Sequence, residues 1–583
     1  MAGIPFILLY SAFFAVLSKA DPSACSDFQA FSCERKDSKR HVHSEFHEES
    51  LPILNSYKGD FIADTLQQAL KAGKLNGENV KECMEIAEVA SRIDESPEKQ
   101  GFLSAFGLIS RPKIDVSVEK KVVEVLITSK EKNPTFKLLP FEEAPENLRK
   151  LVQGYFEAVD FENRFQPENF SIQFETAKVN LSESFKIHVV GAQGGRIDRE
   201  TPFSDLLRNQ FTASYGNLLY AHILLPVNPN LVHNATVVEQ LQEIAGAVKK
   251  HIFNQIDEVL WINADVKDNV RNLFKRENIF FGAPATFSDP ETVNRALQFV
   301  KTVFAKFAHD TEPMQRLGVT NAKCRGLYYA GVLRLAHNAF KLYNDDFDLG
   351  SYPFGASPLA SLSFFDSNAF NFINSDGLLL FGAPEIYGQY RNYSLGFRFG
   401  TIGYSIGHEM FHSLGMEKIS VEGAEDILNQ DVFRKAVQCY KEYYGTFKQW
   451  RCYDYFNGTK GCFVSRPDGS FKIDEGFADI QAARVVQKIA EKLNETEEVD
   501  ESGRSALDDF YMGLGTNYCE DYKMERKDTM SQQHRLLKGK HPRTAIRANA
   551  IVRQLEEYSE HFGCRKGQQM FHEENLCDAF KSF

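Results

Sequence analysis

The sequence predicts a mainly α fold with minor β structure, divided into two lobes. Three observations predict it. At 583 residues the chain exceeds what one hydrophobic core organises, so two lobes are the expected division. Apolar residues recur at helical spacing in several stretches, while β-type alternation is confined to two regions. His408-Glu409-Met410-Phe411-His412 places two imidazoles four residues apart, which brings both to one side of a helix.

Taken in chain order, Ile4 to Leu17 is an apolar run of 14 residues. It is short for a bilayer span and suits the core of a signal peptide. Ser18 and Ala20 are the small residues that cleavage before Asp21 requires, so residues 1–20 are read as a signal peptide and the mature protein as secreted. No stable membrane span is expected after cleavage, and anchoring by an uncleaved N-terminal segment is the alternative. Asp60 to Ala72 and Gly77 to Ile93 read as helices. Val116 to Ser129 and Phe170 to Val190 alternate and are rich in Val, Ile and Phe, which predicts strands. Ser288-Asp289-Pro290-Glu291 starts a helix with an early proline, and its amphipathic pattern runs through Phe307. Tyr352-Pro353-Phe354-Gly355 is a turn cluster. It divides an N-terminal mainly helical lobe, 21–355, from a C-terminal lobe, 356–583, that carries the histidine pair.

Composition excludes some partners. A content of 43% hydrophobic and 25% charged residues is ordinary for a soluble protein. A net charge of −12 argues against nucleic acid or an anionic membrane as the main partner. The ten cysteines are even in number, as an oxidising compartment favours, and sequence alone does not fix their pairing. N-x-[ST] sequons at Asn169, Asn180, Asn234, Asn392, Asn457 and Asn494 fit a glycosylated extracellular chain. Oligomeric state is left open.

The H-E-x-x-H segment carries the chemistry. Phe399 to Gly407 leads into it with apolar residues that continue a helix. His408 and His412 can then bind one zinc ion, and Glu409 sits where it can take a proton from water at the metal. A hydrolytic zinc site takes three protein ligands. Ile473 to Arg484 supplies the third. Helical periodicity puts Glu475 and Asp479 on one face, with Glu475 lying 63 residues beyond His412. Glu475 is the candidate third ligand, and Asp479 can accept the free ring N–H of a ligating histidine and so fix its tautomer. One zinc per chain is expected.

With these residues in place, the chain resembles the neprilysin-like zinc metallopeptidases, which include the endothelin-converting enzymes. Asn368-Ala369-Phe370 resembles the family's N-A-[FY] edge strand. Ser394-Leu395-Gly396-Phe397, leading to Ile406-Gly407-His408-Glu409, resembles S-L-N-[FY] followed by I-G-H-E. Glu475 to Asp479 resembles E-N-x-x-D, His541 and Arg547 resemble H-x-x-x-x-x-R, and Phe562-Gly563-Cys564-Arg565-Lys566 with Cys577 follows the C-terminal pattern. The match is strongest from about Ser361 onward and weak between Glu98 and Leu317. The resemblance implies a gluzincin-like catalytic lobe beneath a helical covering lobe. It implies Asn368 and the Ala369 main chain as substrate contacts, Arg547 as holder of a substrate carbonyl, and His541 as oxyanion donor. It also implies disulfides Cys25–Cys564, Cys33–Cys519, Cys83–Cys324 and Cys452–Cys577. Cys439 and Cys462 then remain as a possible pair. Two departures stand out. Ser413-Leu414-Gly415-Met416 replaces the family's Gly-Phe-Asp-Asp, and Gly476 replaces its asparagine.

The reading is a zinc-dependent endopeptidase acting on small peptides, with Glu409 as general base. The alternatives are a zinc-binding peptide-capture protein and an exopeptidase on the same scaffold. The retained Glu409 argues against pure capture, which needs no base.

Overall fold

The computed structural model describes residues 24–34, 96–107, 113–126, 135–175, 215–276, 278–308, 315–316, 325–343, 364–365, 368–372, 378–383, 386, 393–416, 426–447, 449–454, 460–465, 473–496, 503–519 and 541–580. These residues are mainly helical, with three small sheets among them. The signal-peptide segment 1–20, the two early helices, the boundary cluster at 352–355, the Cys83–Cys324 pair, and Asn180, Asn392 and Asn457 lie outside the described residues. No helix among the described residues is long and apolar enough to cross a membrane.

Two compact units divide the chain. One draws on Met1–Glu48, Asn234–Gly282 and Ser367–Phe583, the other on Glu49–His233 and Ala283–Asp366. The sequence placed 234–282 in the first lobe, whereas the fold places it with the histidine pair. The reason is the helix Ala235–Glu258. Its apolar face, including Leu241, Ile244, Val248 and Ile252, is buried in the same core as the C-terminal helices. Asn234 caps that helix through its side chain, which accepts the Val237 N–H at 3.2 Å.

The second unit builds a four-stranded sheet in the order Lys113–Ser117, Val122–Leu126, Ser171–Glu175, Phe136–Pro140. Three of its strands overlap the two stretches that alternate in sequence, and Phe136–Pro140 lies between them. The helices Pro97–Ala105 and Glu146–Val159 cross at Gly101 and Gly154. A Cβ on either would come within 1.9 Å of the other helix's backbone oxygens. The helix expected from Pro290 runs over Pro290–Ala308.

In the first unit, the short helix Phe28–Glu34 is bound to the C-terminal part of the chain. Gln29 donates to the Tyr518 carbonyl at 2.8 Å and the Phe28 N–H donates to Asn549 Oδ1 at 2.9 Å. Disulfides Cys25–Cys564 and Cys33–Cys519 close this clamp in the pairing the resemblance implied. The third described bridge corrects that pairing: Cys577 joins Cys439, not Cys452. Tyr440 Oη and Arg484 Nη1 both donate to the Cys577 carbonyl, at 2.9 and 2.7 Å, while the Cys577 N–H donates to Gln554 at 2.7 Å. These bonds hold the tail against the helix Asp431–Thr446, which carries Cys439. Cys452 and Cys462 are instead register partners in the hairpin of Gln449–Asp454 and Lys460–Ser465.

Candidate zinc site

The histidine pair sits at the end of a helical run with a change of pitch in it. Leu395–Arg398 is α, Phe399–Gly403 is a π turn, and Tyr404–His412 is α again. Ser394 caps the run by accepting the Phe397 N–H at 3.2 Å. Glycines allow the run to lie against its neighbours. A Cβ on Gly400 would come 2.1 Å from the Phe510 carbonyl of the helix Ala506–Thr516. On the other side, Gly407 brings the histidine helix against Ala482 of the helix Ile473–Thr496. That helix carries Glu475 and Asp479, so one close crossing sets the distance between the imidazoles and the carboxylates.

The predicted ligand atoms converge. His408, His412 and Glu475 each offer one donor atom, all within 4.8 Å of one another. The two Nε2 atoms are 3.0 Å apart, with Glu475 oxygens 3.4 Å from His408 and 3.8 Å from His412. Two imidazole nitrogens and a carboxylate oxygen are a donor set that zinc accepts. Glu409 is 8% exposed and lies between the two histidines in the chain. Asp479 is wholly buried, and its Oδ1 lies 2.9 Å from His408 Nδ1, beside the ring nitrogen it was expected to serve but without hydrogen-bond geometry.

Charge is tightly coupled here. Burial opposes protonation of His408, but Asp479 and Glu475 outweigh it and raise its pKa to about 10. Burial and the neighbouring His408 charge lower His412 to about 3. The metal-free pair thus holds one proton over a wide range, and both rings must be neutral to ligate. Burial alone would raise the Glu475 and Asp479 carboxyls. For Glu475, contacts from His408, His541 and Arg547 prevail, and for Asp479 those of Arg547 and His408, so both are held well below the usual range.

His541 and Arg547 reach the same place. His541, with its side chain 62% exposed, has Nε2 3.1 Å from Glu475 Oε2. Arg547 is turned further inward than its expected role implies. Nε donates to Asp479 Oδ2 at 2.8 Å, Nη2 donates to Oδ1 at 2.6 Å, and Nη2 lies 3.7 Å from Glu475. Nη1 takes part in neither of those bonds.

Asn368 and Ala369 open an edge strand. Ala369–Phe372 pairs antiparallel with Leu378–Phe381, which pairs in parallel with Asn278–Phe281, and among the described strands Ala369–Phe372 is outermost. The Asn368 carbonyl accepts the Gly382 N–H at 3.1 Å. By ladder alternation, the N–H and C=O of Ala369 then point to the open side. Asn371 fastens the strand to the histidine helix. Its Nδ2 donates to the Glu409 carbonyl and, at 3.0 Å, to Ser413 Oγ.

Sequence reasoning did not find Asn371, nor the tyrosines around Asp479. Tyr404 Oη donates to Asp479 Oδ1 at 2.6 Å, and Tyr518 Oη touches Tyr404 Oη and lies 3.5 Å from the same oxygen. Tyr404 precedes His408 by four residues, so helical spacing could have flagged it. Tyr444 fills the space beside Gly476. A Cβ there would meet its ring at 2.0 Å.

Two histidines and a glutamate beside a candidate base form a donor set of the kind zinc metallopeptidases use. Residues 381–577 match the model of Peptidase family M13. Among solved structures the chain is similar to the Mycobacterium tuberculosis zinc metalloprotease Zmp1 in complex with inhibitor. Identity is 11%, coverage 97% of this chain and 99% of that one, and the TM-score 0.50, a likeness of fold. The Haemonchus galactose-containing glycoprotein complex aligns at 12% identity over 98% of each chain, with a TM-score of 0.47. Curated protein sequences give no significant match. The family match thus covers the stretch, 381–577, that holds His408, His412, Glu475, His541 and Arg547.

Proposed function

We propose that this protein is a secreted zinc endopeptidase that cleaves small peptides. The observation that carries the reading is the convergence of His408, His412 and Glu475 within 4.8 Å, with Glu409 between the two histidines in the chain. These three residues would hold one zinc per chain. Bound there, zinc supplies Lewis acidity to acidify a water and polarise the scissile carbonyl. Glu409 accepts the proton of the attacking water and passes it to the leaving amine. His541 donates to the oxygen on which negative charge develops, where one such donor contributes about 3–4 kcal/mol. An extended peptide adds to the open edge at Ala369, with Asn368 at its end and Arg547 Nη1 on a substrate carbonyl. Asp479 holds the His408 ring.

Secretion is supported by the apolar segment 4–17 and by the disulfides Cys25–Cys564, Cys33–Cys519 and Cys439–Cys577. Two sequon asparagines, Asn169 and Asn494, are exposed, as glycosylation requires.

Glu409→Gln tests the reading. The purified variant should keep one zinc and lose about 10²–10⁴-fold in kcat. Undiminished turnover would reject Glu409 as the base. His408→Ala, His412→Ala and Glu475→Ala should lose the metal instead. Digestion of a mixed peptide library, read by mass spectrometry, should show internal cleavages. Products trimmed only from one terminus would assign an exopeptidase.

A further inference from the structure

The carboxylate that orients His408 is held by more than the arginine. Asp479 is fully buried, and a carboxylate in that position needs its lone pairs occupied. Arg547 fills Oδ2 and one site on Oδ1, at 2.8 and 2.6 Å. His408 Nδ1 approaches Oδ1 at 2.9 Å. A further donor is Tyr404 Oη, at 2.6 Å from Oδ1, itself touched by Tyr518 Oη. Tyr404 is 4% exposed and Tyr518 is 4% exposed, so water does not compete for these bonds. Burial, with Asp479 adding to it, keeps the Tyr404 phenol protonated far above its ordinary range, and it remains a donor at working pH.

Placement makes this more than core filling. Tyr404 and His408 stand one turn apart on the same helix, their rings 6.2 Å apart. That helix therefore carries both a zinc-ligand candidate and the hydroxyl that fixes the carboxylate orienting it. Arg547 reaches Asp479 from a different helix, Thr544–Arg553, and its guanidinium lies over the Tyr518 ring, 5.5 Å from the centroid. The oxygen is thus pinned from two independent directions. The other histidine has a contrasting setting. The sequence after His412 reads Ser413-Leu414-Gly415-Met416, without an acidic residue.

We propose that Tyr404, supported by Tyr518, is a positioning residue that tunes zinc retention by holding Asp479 Oδ1 at its 2.9 Å approach to His408 Nδ1. The proposal rests on the zinc reading above. Removing the hydroxyl lets the carboxylate turn about its Cβ–Cγ bond toward Arg547, and the ring of His408 loses part of its alignment. Partners of this outer kind change metal affinity by about 10–100-fold in other sites.

The test is a chelator-competition titration of zinc on the purified full chain, alongside the melting temperature of the metal-free form. Tyr404→Phe should raise the zinc dissociation constant about tenfold. Asp479→Asn should raise it at least as much, and the double variant should add little to Asp479→Asn, because Tyr404 acts through that carboxylate. Tyr518→Phe should give a smaller rise. If Tyr404→Phe lowers the metal-free melting temperature but binds zinc as the wild type does, the residue is packing only and the proposal is overturned. Additive effects of Tyr404→Phe and Asp479→Asn would also overturn it. His408→Ala serves as the control for the underlying reading. Wild-type protein that binds no zinc, or binds it unchanged in His408→Ala, would remove that reading and the proposal together.

Discussion

Arg547 gives two nitrogens to Asp479 in a buried, two-pronged pair, and a third contact reaches Glu475 at 3.7 Å. Removing one partner of such a pair strands the other charge in a dry interior. Arg547→Ala is therefore expected to cost about 3–5 kcal/mol in urea unfolding of the metal-free protein. Arg547→Lys should not restore it, because an ammonium cannot make the two parallel bonds. A stability loss under about 1 kcal/mol, with only KM raised, would assign Arg547 to substrate alone. The resemblance of His541 and Arg547 to the family's H-x-x-x-x-x-R implied that both belong near the candidate zinc ligands. It did not show where the guanidinium fork would point, since that depends on Asp479, 68 residues away in the chain. A second residue gives a pH prediction. Burial would raise Asp508, but its bonds to His561 at 2.8 Å and to Ser505 lower it from 3.8 to about 2. A carboxyl lowered in the folded state adds stability above its unfolded pKa and loses it as pH falls through the folded value. Asp508→Asn should melt below the wild type at pH 7, and the gap should close as pH falls from about 4 toward 2. A gap that is constant with pH would mean the cap, not the charge, carries the effect.

Helix crossings decide what side chains this site tolerates. Gly476 was legible only as a departure from the family's asparagine. The structure supplies the cause: Tyr444, from the helix Asp431–Thr446, occupies the volume a side chain at 476 would need. A Cβ on residue 476 would stand 2.0 and 2.4 Å from two of its ring carbons and 2.8 Å from its hydroxyl. Gly476→Asn should therefore destabilise the chain strongly, and Tyr444→Ala in the same molecule should recover much of the loss despite being damaging alone. That sign of coupling is what a shared volume produces. Simple addition of the two losses would show that they do not compete for space. Gly400 behaves alike at the crossing with Ala506–Thr516. Gly400→Ala should cost about 1–3 kcal/mol by overpacking, read as a lower melting temperature of the metal-free form. The sequence showed that Glu475 and Asp479 share a helix face, since that follows from spacing alone. The partners that face meets come from other helices, and spacing within one helix cannot name them.

At the scale of the whole chain, covalent links connect residues far apart in sequence. Cys25–Cys564 and Cys33–Cys519 span separations of 539 and 486 residues. They bind the helix Phe28–Glu34 to the part of the chain that carries the candidate zinc site. Replacing Cys33 and Cys519 together by serine should cost about 2–5 kcal/mol and lower the melting temperature. No change in melting temperature would mean that Cys25–Cys564 and the buried contacts of Phe28 and Phe31 suffice. Non-reducing peptide mapping should recover a Cys439–Cys577 peptide, and a Cys452–Cys577 peptide would contradict the fold described here.

Residue identity and local spacing were enough to nominate His408, His412 and Glu475 as ligands, Glu409 as base and Asp479 as their partner, because each depends on side-chain chemistry or on helix periodicity that repeats within a few residues; the edge strand came from the family resemblance. They were also enough for the predominance of helix. Tertiary structure alone assigned 234–282 to the unit that holds the site, since a buried apolar face does not name its partner. It redirected Cys577 to Cys439 through the bonds that Tyr440, Arg484 and Gln554 make to the tail. It turned Arg547 onto Asp479, brought Tyr404 and Tyr518 to the same oxygen, and filled the place beside Gly476 with Tyr444. Each of these outcomes depends on which elements come within a few ångströms after the chain has folded, and contacts between distant segments leave no periodic mark on the sequence.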